Sequence, residues 1–246
     1  MEPMLLATDL DGTFLGGTDA DKTSLYQLIK ESPDVRLVFV TGRGIRSVLG
    51  LLEDTALPRP EYIICDVGAT ITHFPTMMPV EPIQSGIAAK WPGEQVREKL
   101  KTVAGLLHQE AQQQYRCSYY YDAQTDIPAA QTVAASFSCD LMLSAGKYLD
   151  VLPGGVNKGY TLLKLLEVLG TSQEQVLVAG DSMNDLAMYE TGLQGVVVGG
   201  AEEELLAQTA VMRHVLQASR IGAGGILEAM EKHHAFASLI DNVGLR

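Results

Sequence analysis

The sequence predicts an α/β protein, a parallel sheet covered by helices on both faces, with a smaller α+β unit inserted into it. Three observations carry this reading. Short apolar runs alternate with stretches of helical spacing near both ends of the chain. The runs stop at polar, glycine-containing turns, and the middle of the chain breaks the alternation.

Residues 4–8 (MLLAT) form an apolar run that reads as a buried strand, and it delivers Asp9, Asp11 and Gly12 at its C-terminal end. Residues 23–31 place Leu25, Leu28 and Ile29 at helical spacing. A second strand over 36–40 (RLVFV) stops at Thr41-Gly42-Arg43 and is followed by helical residues 45–52. After Pro58-Arg59-Pro60, residues 62–65 (YIIC) give a third strand. The pattern returns late in the chain. Residues 157–169 read as a helix with Leu162, Leu163, Leu165 and Leu166 apolar, and 175–179 (QVLVA) as a strand ending at Gly180-Asp181. A short helix over 186–191 precedes a strand over 194–198. Alternating strands and helices imply right-handed βαβ units and a parallel sheet buried on both faces.

The middle is different. A helix is expected over 93–113, a strand over 116–121, a second helix over 127–138, and strand-like runs at 141–144 and 148–152. The run Tyr119-Tyr120-Tyr121 is expected to alternate between core and surface on its strand. This places a core domain at 1–81 and 154–246 and an inserted domain at 82–153.

Composition narrows the function. Hydrophobic residues make up 46% and charged residues 20%, a globular balance, and the formal net charge is −12, from 30 acidic against 18 basic residues. Such a surface repels nucleic acid and anionic membrane, so neither is an expected partner. If the ligand is a phosphate, its attraction must be local. The three cysteines have no metal-ligand spacing and read as reduced thiols, the opening residues lack a basic stretch, and no run is long enough to span a membrane. A cytoplasmic monomer or weak dimer is expected.

In open α/β sheets, sites form outside the carboxyl ends of the strands. Asp9 and Asp11 stand together at one such end. Paired carboxylates repel, so one takes a raised pKa or the pair recruits a cation; a capped turn is the plainer alternative. Oxygen ligands with no His or Cys among them favour Mg²⁺ over zinc, and Asp181 from a distant strand end completes the set. Thr41 and Gly42 offer a hydroxyl and backbone N–H groups to an oxyanion, or simply cap a helix. Asp181-Ser182-Met183-Asn184-Asp185 carries more polar groups than a cap needs. Lys158 alone reads as an ordinary lysine; its value lies in company. None of the five histidines has ligand or triad spacing.

Taken together, DLDGT (Asp9 to Thr13), TGR (Thr41 to Arg43), Lys158 and GDSMND (Gly180 to Asp185) resemble the four motifs of the haloacid dehalogenase superfamily of phosphatases. The resemblance spans nearly the whole chain and implies a Rossmann-like core with a type C2 cap. It is closest to the branch that includes sucrose-phosphate and mannosylfructose-phosphate phosphatases, whose substrate-facing cap stretch looks like residues 144–153 here. Thr70 stands where sucrose phosphatases tend to carry an acidic residue, and Gly12 where they often carry Asn.

The resemblance implies a Mg²⁺-dependent hydrolase acting on a small sugar phosphate. Asp9 would be the nucleophile and Asp11 the general acid and base. Asp9, the Asp11 carbonyl and Asp181 would hold the metal, and Asp185 its waters. Thr41, Gly42, Lys158 and Asn184 would hold the transferring phosphoryl group, and Lys147 and Asp150 would meet the sugar from the cap. Sucrose 6-phosphate or a related disaccharide phosphate is the first expectation. The alternatives are mannosylfructose phosphate, a broad hexose-phosphate phosphatase, a phosphohexomutase, and a non-enzymatic phospho-acceptor module.

Overall fold

The computed structural model describes residues 3–110, 113–233 and 235–236. In chain order the first half runs β1 (Met4–Thr8), α1 (Asp19–Glu31), β2 (Val35–Val40), α2 (Ile45–Leu51), β3 (Tyr62–Cys65), β4 (Thr70–His73), β5 (Met78–Pro79) and α3 (Ile83–Ala88). The inserted unit follows with α4 (Glu94–Leu100), β6 (Leu107–His108), β7 (Cys117–Tyr120), α5 (Ile127–Ser136), β8 (Cys139–Ser144) and β9 (Tyr148–Pro153). The chain returns through α6 (Lys158–Leu169), β10 (Val176–Gly180), α7 (Leu186–Tyr189), β11 (Gln194–Gly199), α8 (Glu203–Thr209), β12 (Val215–Ile221) and α9 (Ala223–Lys232).

The large sheet has eight strands in the order β12-β11-β10-β1-β2-β3-β4-β5. Strands β12 through β3 are mutually parallel, while β4 and β5 run antiparallel at one edge. Alternate residues of each central strand feed opposite faces. Leu6, Leu37, Phe39 and Leu177 pack with residues of α1 and α9 on one side, while Leu5, Val38, Val176 and Val178 pack with α3 and α6 on the other. Strand β1 is central because all five of its residues are apolar or buried, as a strand covered on both faces requires.

The insertion forms a second sheet in the order β6-β7-β9-β8, antiparallel throughout. One face packs on α4 and α5 through Cys117, Tyr119, Leu149 and Val151. The other face, with Ser118, Tyr120, Tyr148 and Asp150, looks across a cavity to the carboxyl ends of the large sheet. Tyr119 is buried and its neighbour Tyr120 is 44% exposed, so the tyrosine run alternates as expected.

Three expectations are corrected. The helix expected over 93–113 stops at Leu100. The carbonyls that would continue it are spent elsewhere: Ala104 O accepts the Asp126 N–H and Gly105 O accepts the Thr125 hydroxyl, with Gly105 at φ +81°. The domain boundary expected at residue 82 falls before α3, yet Ile83 and Ile87 pack with Ile71 and Leu162 on the large sheet. The insertion's own cluster begins at Trp91. Finally, α3, β4, β5, β6, β12, α8 and α9 were not foreseen.

Candidate active site

The strand order reverses direction on either side of β1, whose neighbours are β10 and β2. The crevice at such a point is where open α/β sheets place their ligands. Here β1 ends at Asp9, β2 at Thr41-Gly42-Arg43 and β10 at Asp181, so three strand ends bring their polar groups to one spot. Asp9, Asp11, Gly42, Asp181 and Asn184 line a single cavity of about 580 Å³, roofed by the inserted sheet.

Lys158 lies beneath the floor. Asn157 caps α6 by accepting the Tyr160 N–H at 2.8 Å, which sets the first turn and aims Lys158 inward. Its Nζ donates to Asp9 Oδ1 at 2.7 Å and to Asp185 Oδ1 at 2.6 Å, and the side chain is fully buried. Burial disfavours the ammonium, but Asp185 and Asp9 outweigh it and hold the Lys158 pKa above its usual value. Burial likewise pushes the Asp9 carboxyl up, against the pull of Lys158 and with Asp185 and Asp181 adding to the rise. Lysine 158 is therefore no surface residue.

Asp185 is fully engaged. One oxygen accepts Lys158, and the other accepts the backbone N–H groups of Asp181 and Ser182 at 3.0 Å each. It therefore fixes the loop and the lysine and has little left for a ligand. Asp181 accepts the Thr13 hydroxyl at 2.8 Å and its carboxyl is raised to about 6, by burial first and by Asp185 next. Oxygens of Asp9, Asp181 and Asp185 lie within 4.8 Å of one another. Carboxylates this close form a hard anionic pocket that fits a small divalent cation, and burial holds the Asp9 and Asp181 carboxyls above their ordinary range; these two have oxygens to spare for it. Gly12 suits this position, since at φ +78° a Cβ would stand 2.2 Å from Asp181 Oδ2 and push that carboxylate aside.

Asp11 is different from the buried aspartates. Its side chain is 59% exposed and is gripped by Arg43, Nε to Oδ2 at 2.7 Å and Nη2 to Oδ1 at 2.5 Å. A partly exposed pair of this kind is worth ~1 kcal/mol or less, so it opens readily. Thr41 is buried, and its Oγ1 accepts the Arg43 N–H at 3.1 Å, shaping the turn. A Cβ built on Gly42 would meet Asn184 Nδ2 only at 3.8 Å, leaving room above the turn, and the buried Asn184 Oδ1 has no partner.

The two cap residues expected to meet the sugar part company. Asp150 lines the cavity but is buried in an ion pair with Arg116, at 3.3 Å. Lys147 sits on the β8–β9 turn, outside the cavity lining, with its ammonium 4.9 Å from the centre of the Tyr148 ring. Asp66, Arg116 and Glu202 were not foreseen, for none stands in a pattern that marks it in the sequence, and Arg43 and Tyr148 stand within marked stretches but were given no role.

The chain matches the family model for sucrose-6F-phosphate phosphohydrolase over residues 2–234. It is 49% identical over 228 residues to a glucosylglycerol-phosphate synthase of Pseudomonas anguilliseptica, covering 92% of this chain but 30% of that protein. It is 31% identical to a mannosylfructose-phosphate phosphatase of Agrobacterium fabrum, over 94% of this chain and 97% of that one. The solved sucrose-phosphatase of Synechocystis sp., in complex with sucrose and phosphate, superposes with a TM-score of 0.84 at 27% identity, covering 95% of this chain and 98% of that one.

Proposed function

The chain belongs to the sucrose-6F-phosphate phosphohydrolase family, and from that premise we propose that it hydrolyses the phosphate monoester of a small glycoside through a phosphoryl group carried on Asp9. The observation that carries this is the convergence of Asp9, Lys158 and Asp181 on the floor of a cavity roofed by a sheet of hydroxyl and aromatic side chains.

The steps follow from the residues. The Asp9 oxygen that Lys158 does not hold attacks phosphorus, and the bond from phosphorus to the glycoside oxygen breaks. Once its pair with Arg43 opens, Asp11 takes up a proton from solvent and delivers it to that leaving oxygen. The same carboxylate then takes a proton from a water molecule, which attacks phosphorus and frees Asp9. Lys158 stays cationic throughout, and Asp185 holds it against Asp9. Thr41, Gly42 and Asn184 position the transferring group, since positioning and charge stabilisation supply most of phosphoryl-transfer catalysis.

We assign Mg²⁺ to the pocket of Asp9, the Asp11 carbonyl and Asp181, with Asp185 fixing the loop around it. Bound there, it supplies charge neutralisation for the phosphoryl oxygens. Chelation is expected to abolish phosphate release and Mg²⁺ to restore it, with Ca²⁺ a poor substitute because it prefers longer bonds and more ligands. Full activity in excess chelator would refute the metal.

For the leaving group, the sucrose and mannosylfructose relatives support a disaccharide phosphate. A second reading rests on a specific observation. Identity is 49% to the synthase segment and 28–31% to the sucrose and mannosylfructose phosphatases. That favours glucosylglycerol phosphate, the product of glycosyl transfer onto a phosphorylated acceptor. A phosphate-release screen with Mg²⁺ over glucosylglycerol phosphate, sucrose 6-phosphate, mannosylfructose phosphate, glucose 6-phosphate and p-nitrophenyl phosphate decides it. A glycoside phosphate should lead in kcat/KM. Equal rates across the panel would defeat the glycoside assignment.

A further inference from the structure

We propose that Arg116 is the residue through which the cap reads hydroxyl groups on the departing glycoside, and that it refuses a second anionic group there. This rests on the phosphatase reading above and adds to it a specificity-determining residue.

Arg116 immediately precedes β7, faces the cavity, and is only 5% exposed. It stands between two carboxylates from two bodies, Asp66 of the large-sheet domain at 3.1 Å and Asp150 of the cap at 3.3 Å. A buried guanidinium normally satisfies its donors with aligned hydrogen bonds, because desolvating it is costly. This one does not: among the described residues Nε has no hydrogen-bond partner, and Asp66 Oδ1 has only its ion pair with Arg116 Nη2 at 3.1 Å. Arg116 thus lines the cavity wall with a donor that neither carboxylate satisfies.

Its neighbourhood selects the ligand. One cation faces two carboxylates, so the cluster has no net positive charge to draw a phosphate. A hydroxyl both donates and accepts, so it can take a hydrogen bond from the guanidinium and return one to Asp150, the carboxylate that lines the cavity beside it. The carboxylates are held in place from behind. Thr70 donates its hydroxyl to Asp66 Oδ2 at 2.8 Å, and Ser118 donates to Asp150. Thr70 thus props Asp66 and brings no further charge.

The backbone beneath is unusual in the same place. Asp66 and Val67 both adopt left-handed conformations, at φ +53° and +57°, which non-glycine residues avoid. Strain of this kind persists where the surroundings over-determine it and clusters at ligand sites. Here the surroundings are the phosphate turn itself: the Asp66 N–H donates to Arg43 O at 2.9 Å and the Val67 N–H to Thr41 O at 3.1 Å. Behind them Gly68, at φ +105°, packs against the Asn157 backbone, and its carbonyl accepts the Thr161 hydroxyl at 2.7 Å. Arg116 is thereby linked through Asp66 to the turn that meets the phosphoryl group.

The test is the selectivity of Arg116→Met and Arg116→Lys. In each, kcat/KM is measured with Mg²⁺ for glucosylglycerol phosphate, sucrose 6-phosphate, glucose 6-phosphate and p-nitrophenyl phosphate, alongside thermal melting. The Lys variant keeps a charge between the two aspartates and guards against loss of the fold. The expected result is that the preference for the best sugar phosphate over p-nitrophenyl phosphate falls more than about tenfold in both variants, chiefly through KM. Equal losses on all substrates, or no loss, would overturn the proposal. If wild type prefers glucose 6-phosphate and Arg116→Met erases that preference, the glycoside reading fails while the role of Arg116 stands. If wild type prefers no sugar phosphate at all, both fall.

Discussion

The floor and the roof of the cavity are built on opposite terms. On the floor, Lys158 and Asp185 are fully buried and make short, aligned bonds to Asp9, to the Asp181 loop and to each other. On the roof, Arg116 keeps a free donor, Tyr120 and Tyr148 expose their rings, and Asp150 shares its cation with Asp66. A site that handles one invariant group can afford complete internal pairing. A site that must recognise a particular leaving group keeps its partners for the ligand.

That contrast orders the expected effects of mutation. Asp9→Asn leaves the shape of the floor intact but removes the attacking oxyanion, so turnover is expected to fall by about 10⁴ or more with the melting curve preserved. Phosphate release and melting measured on the same sample check this. Lys158→Met should damage both properties. It leaves Asp9 and Asp185 buried without their cation, a loss of about 3–5 kcal/mol by urea unfolding. A wild-type melting profile for this variant would mean the floor is not held by the pair.

The floor also has a pH signature. Asp181 is raised to about 6 in the folded chain from 3.8, so without metal the native state binds the extra proton between those values. Its contribution is therefore full below about 4 and is lost as pH rises through about 6. A divalent cation needs the carboxylate ionised and offsets that loss. The stabilisation of the protein by Mg²⁺, read as a Tm shift, should grow as pH rises from about 4 to about 7. A shift that is constant across this range would count against Asp181 as a ligand.

The roof should respond less and more selectively. Tyr148→Ala, which removes a cavity wall, is expected to cost about tenfold in kcat/KM on the preferred sugar phosphate and less on p-nitrophenyl phosphate. Lys147→Ala should stay within about twofold on both, because its ammonium lies outside the lining. A large, substrate-specific loss from Lys147→Ala would return that residue to the site.

The same contrast explains what was legible in the sequence. Strands β1, β2, β3, β10 and β11 are short, apolar and punctuated by glycine or aspartate, and their ends fall within a residue or two of expectation. Asp9, Asp181 and Asp185 sit at or just past those ends, so reading the strands located them; Lys158, at the start of α6, stood out only in their company. The long cap helix failed because apolar spacing at Val96, Leu100 and Val103 continues past Leu100, while the backbone bonds that would extend it go to the α5 loop. Strands β4 and β5 are short antiparallel edge pieces with little apolar run to betray them. Arg116 and Asp66 meet only through the folding of one domain over another, and neither has a local companion in the sequence. Lys147 and Asp150 were read from one stretch, yet Lys147 stays on the β8–β9 turn and only Asp150, inside β9, reaches the cavity.

The central claim is that one floor chemistry serves whatever leaving group the roof admits, through a phosphoryl group on Asp9. Acid quenching during turnover, followed by peptide mass measurement, addresses this directly, using the preferred sugar phosphate and p-nitrophenyl phosphate in parallel. The account predicts a single phosphoryl group on the peptide that contains Asp9 with both substrates, and none in Asp9→Asn. A phosphoryl group on any other residue, or wild-type phosphate release by Asp9→Asn, would contradict it.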